Sequence, residues 1–81
     1  MTYHELDTVV LTRDLAEHGL QAGDLGAVVH AYSPETLEVE FVRASGQTQA
    51  LVTLREVDLR PVLDHDLVAV RSVAPSTRGA A

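Results

Sequence analysis

Four histidines, His4, His18, His30 and His65, are the residues of this chain best suited to hold a metal. No two of them stand two or four positions apart, the spacings that put a pair of imidazoles on one strand or helix face. With no cysteine there is no thiolate zinc site either. Asp64-His65-Asp66 sets two carboxylates beside an imidazole. On an extended chain they point away from it, so the tripeptide reads as a solvated hinge. His4-Glu5 is no better placed.

Glu38 and Glu40, at i and i+2, share one strand face and resemble a glycosidase pair only in residue type. Alternation with Leu37, Val39 and Phe41 makes them the wet face of a half-buried strand. Ser33, Ser45, Ser72 and Ser76 fall in predicted turns or the C-terminal tail, with no nucleophile elbow around them. Gly19, Gly23 and Gly26 imitate a phosphate loop, but the chain has no lysine and no long helix follows them. The expectation is a chain without catalytic residues, metal or cofactor, and therefore not an enzyme.

The elements that must position any binding surface are short. Eighty-one residues make one small domain. A domain of this size buries roughly 60% of the surface its unfolded chain exposes. A hydrophobic fraction of 46% is enough to fold. All six basic residues are arginine, against twelve acids, for a net charge of −6. That balance opposes general phosphate neutralisation, so nucleic acid is not the expected partner. No apolar run has the ~20 residues of a membrane helix, and the N-terminus has neither the basic nor the apolar region of a secretory signal. A cytoplasmic, bacterial-type protein that does not contact membrane is expected.

Short β-branched runs separated by turn residues predict strands. The first covers Asp7 to Thr12. A long, partly ordered loop follows from Arg13 to Asp24, with Leu15 and Leu20 tucked inward. Within it, Leu15 to His18 could form one helical turn, capped by Asp14 and stopped by Gly19. Gly23-Asp24-Leu25-Gly26 leads into a second strand, Ala27 to Tyr32. Its glycines suit positive φ or close backbone approach. Ser33-Pro34-Glu35-Thr36 is a type I turn, and a third strand alternates through Leu37, Val39 and Phe41.

A hairpin at Ala44-Ser45-Gly46-Gln47 then opens a fourth strand through Thr48, Ala50, Val52 and Leu54, with Gln49 outward. A 3₁₀ turn at Arg55 to Asp58 precedes a brief last strand, Leu59-Arg60. The fold class is all-β: a small, closed or nearly closed SH3-like barrel of about five strands with a long first loop, over residues 1–62. An open meander completed by homodimerisation is the alternative. Residues 63–73 read as one further edge strand, a helix capped by Asp66 being the competing reading. Residues 74–81 read as a flexible tail.

The long loop facing the hairpin is the most functional-looking surface, because long loops in small domains often bind something. Its candidate partner-binding residues are Arg13, Asp14, Glu17, His18, Asp24 and Gln47. Three aromatics, Tyr3, Tyr32 and Phe41, are too few for a proline-peptide groove or for base stacking.

Glu5-Leu6-Asp7-Thr8-Val9-Val10-Leu11, then Gly19 to Val29, Leu37-Glu38-Val39-Glu40-Phe41, Gln47 to Leu54 and Asp58-Leu59-Arg60-Pro61 resemble the domain-of-unknown-function 4926 family of small bacterial proteins. The resemblance covers residues 3–62 and implies an SH3-like barrel. Gly23-Asp24-Leu25-Gly26-Ala27-Val28-Val29 is also similar to the KOW motif of ribosome-associated barrels and to the barrel of nitrile hydratase β subunits. The family carries over no catalytic residue. The neighbourhood of its genes implies a protein partner, toxin-like or enzymatic, for which this chain would be an accessory or neutralising module. A KOW-like nucleic-acid module is the alternative and needs Arg13, Arg43, Arg55 and Arg60 to converge. A subunit completing an enzyme such as nitrile hydratase ranks third.

Overall fold

The computed structural model describes residues 2–73, and the valine-rich runs become strands within them. In chain order these are β1 (Thr8–Leu11), β2 (Leu25–Ser33), β3 (Thr36–Val42), β4 (Thr48–Arg55) and β5 (Leu59–Pro61). Single 3₁₀ turns lie at Ala16–His18 and Glu56–Asp58. The protein is all-β: one antiparallel five-stranded sheet in the order β4-β3-β2-β1-β5. β4 and β5 share no ladder, so the sheet is open at that seam and does not close into the expected barrel.

Alternation supplies the core. Leu37, Val39 and Phe41 of β3 face inward with Val9, Leu11, Val28, Leu54 and Leu59, while Glu38 and Glu40 stay half-exposed. Tyr3 and the loop residues Leu15 and Leu20 close the same cluster. Gly26 answers to packing: a Cβ there would lie 2.6 Å from Val39 Cγ1 and 2.8 Å from Phe41 Cε2. Gly46 sits at φ 93°, as its hairpin requires.

Two local expectations are corrected. Asp14 does not cap the loop's 3₁₀ turn. Leu15 holds that position, and the Asp14 Oδ1 atom accepts from the Ala22 N–H at 2.9 Å, eight residues on. Residues 67–73 form neither an edge strand nor a helix. Asp66 folds the chain into a turn just past β5 by accepting from the Leu63 N–H at 2.7 Å. The segment then leaves the sheet edge instead of running along it. Residues 74–81, expected as a tail, lie outside the described residues.

Candidate interaction site

The loop of residues 12–24 is built on its two leucines. Leu15 and Leu20 are buried at 4% and 5% exposure, and their backbones bond each other in both directions at 3.0 and 3.1 Å. Gly19, at φ 70°, makes the tight return between them. Polar braces fix the rest. The Arg13 Nε donates to Asp58 Oδ1 at 2.8 Å, tying the loop to the second 3₁₀ turn. Burial pushes the Asp58 carboxyl up, but the Arg13 guanidinium and the Arg55 N–H outweigh it and hold the group below its ordinary value.

Loop and hairpin do meet, through a residue that the spacing did not single out. The Gln49 Nε2 donates to the His18 carbonyl at 3.0 Å, and Arg43 Nε donates to Gln49 Oε1 at 2.7 Å. Gln49 sits where the β3–β4 register slips, between Phe41 opposite Ala50 and Val42 opposite Thr48. The slip leaves it out of the pairing and half-buried. Of the residues expected to bind a partner, Arg13, Asp14 and Asp24 brace the loop instead. Glu17 and Gln47 are exposed, and His18 is half-exposed.

The segment after β5, residues 62–73, forms an arm over the outer face of the sheet. Arg60 holds its root, both Nη atoms bonding the Asp66 carboxylate at 2.9 and 3.0 Å. That guanidinium, with the Leu63 N–H, lowers the Asp66 pKa to about 2. Farther out, Arg71 grips Asp24 through Nε and Nη2 and also donates to the Gly19 carbonyl at 3.1 Å. Burial raises the Asp24 pKa, yet the Arg71 guanidinium and the Gln21 N–H leave it below the usual carboxylate range.

Between arm, sheet and hairpin lies a cleft of about 780 Å³. Val10, Leu25 and Val42 line its sheet side, and residues 66–73 its other wall. Val10 lies between Val9 and Leu11 and so points away from their core. It is nevertheless only 3% exposed, at the floor of the cleft. The arm presents Leu67, Val68 and Val70 at 93%, 77% and 98% exposure. Val42 adds an apolar side chain that is 51% exposed. The cleft's walls are thus mainly apolar, with the Arg60–Asp66 and Arg71–Asp24 pairs at its border.

Of the four arginines that a nucleic-acid surface would need, Arg13 and Arg60 are held in ion pairs and Arg43 is hydrogen-bonded to Gln49. Arg13, Arg60 and Arg71 are each ion-paired, to Asp58, Asp66 and Asp24. Among the described residues no group of three or more His, Cys, Asp or Glu side chains could hold a metal ion. His30 lies 3.6 Å from Glu5 and packs edge-on against Tyr32, with ring centroids 4.6 Å apart. No helix among the described residues is long and apolar enough to cross a membrane.

Compared with known proteins, the chain matches one family, described as a domain of unknown function (DUF4926), over residues 5–61. That range runs from the turn before β1 to the end of β5, and the arm follows it. No curated protein and no solved structure matches.

Proposed function

This chain belongs to the DUF4926 family, and from its surface we propose a non-enzymatic protein-interaction module that works in the bacterial cytoplasm. The observation that carries the reading is the cleft between arm and sheet, with the part-exposed Leu25 and Val42 on its sheet side and the solvent-facing Leu67, Val68 and Val70 around it. Exposed apolar side chains gathered at one concavity are costly unless something covers them. The occupant we propose is a partner protein offering apolar side chains flanked by basic residues. A net charge of −6 with no lysine attracts such a surface and repels acidic competitors. A neighbouring gene product, for which this chain would be an accessory or neutralising partner, is the first to try.

The reading is tested by affinity capture from the native host, with wild type and Val42→Asp as paired baits. Val42 is half-exposed at the cleft, so the substitution should spare the fold. A basic partner held stoichiometrically by wild type and lost with Val42→Asp supports the proposal. A partner that ignores the substitution, or none at low salt, overturns it. An RNA titration at low salt separates the KOW-like alternative, which the paired Arg13 and Arg60 do not favour.

A further inference from the structure

Two ion pairs fasten the arm, and they are built differently. At the root, Asp66 belongs to the arm itself, and the Leu63 N–H of the same turn helps to set its carboxylate. At the far end the arm brings only a guanidinium, and the loop supplies everything that receives it. Asp24 Oδ2 accepts from the Gln21 N–H at 2.8 Å, and the Asp24 carbonyl accepts from the Leu11 N–H of β1 at 2.8 Å. The peptide between Gly19 and Leu20 is fixed as well, because its N–H donates to the Leu15 carbonyl at 3.1 Å. None of these bonds involves residues 62–73. The two carboxylate oxygens and the Gly19 carbonyl are therefore held in place by β1 and the loop, not by Arg71.

That set of acceptors suits one kind of cation. Arg71 Nε and Nη2 meet separate Asp24 oxygens, and Nη2 also reaches the Gly19 carbonyl at 3.1 Å. A planar fork makes two parallel bonds of this sort, whereas an ammonium acts as a point charge. Little else holds Arg71 there. Among the described residues no backbone hydrogen bond ties residues 67–73 to the loop or the sheet, and Leu67, Val68 and Val70 face water. Exchanging one arginine for another keeps the same bonds and loses only the advantage of the tether, an effective concentration of about millimolar order. The arm's own sequence, Leu67-Val68-Ala69-Val70-Arg71-Ser72-Val73, is an apolar stretch carrying one arginine, the same chemistry as the partner proposed for the cleft.

We propose that Asp24 and the Gly19 carbonyl form a receptor for a guanidinium group, that Arg71 fills it in cis, and that an arginine of the docking partner replaces Arg71 and frees the arm from the cleft. The proposal rests on the reading of the cleft as a docking surface. It adds which basic residue the partner brings and where that residue lands.

Amide NMR of the full chain tests it, with the acetylated and amidated peptide Ala-Val-Arg-Ser, the sequence of residues 69–72, as probe. In Arg71→Gln the vacated receptor should bind the peptide saturably, with shifts centred on Gly19, Gln21 and Asp24. Wild type should bind at least about twofold more weakly, because a site filled in cis most of the time is open only for the remaining fraction. As wild type binds, the amides of residues 67–73 should move with release of the arm. Lysine in place of the peptide's arginine should weaken binding about fivefold or more. Adding Asp24→Asn to Arg71→Gln should abolish it. Should that double variant lose its dispersed spectrum, the lysine comparison decides alone. Arg71→Gln without a saturable shift up to roughly 50 mM peptide overturns the proposal. So does equal binding by wild type, an arm that stays in place, or a lysine peptide that binds as well. The titration uses no host partner, so its failure is separate from that of the affinity capture.

Discussion

The loop between β1 and β2 and the arm after β5 are of similar length and border the same cleft, yet different forces hold them. The loop hangs on two buried leucines, with backbone bonds between them and polar braces outside. Among its described residues the arm has no comparable apolar anchor. Its leucine and valines face water while Asp66 and Arg71 fasten it at two points. Apolar burial scales with area and resists salt, whereas exposed ion pairs contribute little and respond to salt and pH. A loop of the first kind moves with the core, and an arm of the second kind can leave while the sheet stays intact.

Four experiments would break or sharpen that contrast. Leu15→Ala should cost about 2–5 kcal/mol, read by urea denaturation. In a domain of this size, whose total stability is roughly 4–12 kcal/mol, that is a large share. A loss under ~1 kcal/mol would mean the loop is not part of the core. Gly26→Ala should cost about 1–3 kcal/mol by the same measurement, since its methyl would press on Val39 and Phe41. Arg71→Gln should leave the denaturation midpoint in place while the amide resonances of residues 67–73 move to disordered positions. A matching shift in residues 12–24 would show that the arm supports the loop.

The smallest effect is one of pH. The Asp66 carboxyl is lowered in the folded chain from 3.8 to about 2. The stabilisation it lends is therefore complete above the ordinary carboxylate pKa and is lost as pH falls through about 2. Carboxyl carbon shifts should place the Asp66 midpoint near the lower value, and Arg60→Gln should return it toward the ordinary one.

The sheet was legible in the sequence because its determinants are local. Alternation fixed the inward face of β3, Gly46 and Ser33-Pro34 marked the hairpin turns, and Leu15 and Leu20 stood out as apolar residues in a polar loop. The site was far less legible. Asp24 and Arg71 are 47 positions apart, and no spacing rule joins them. Gln49 reaches the loop only because a register slip in β3–β4 turns it there. Leu67 to Val73 has strand composition. Strand propensity, however, reports a fit to a neighbouring strand, and the Asp66 turn carries this segment away from one.

The strand order has a consequence for the moment of folding. β2, β3 and β4 are joined by short hairpins, so their contacts form at small loop-closure cost. β1 gains its second neighbour only from β5, the last strand of the sheet. During synthesis, β1 waits with one flank bare until Pro61 has emerged. A chain truncated before Leu59 should therefore keep the meander yet leave β1 exposed to aggregation or to chaperones.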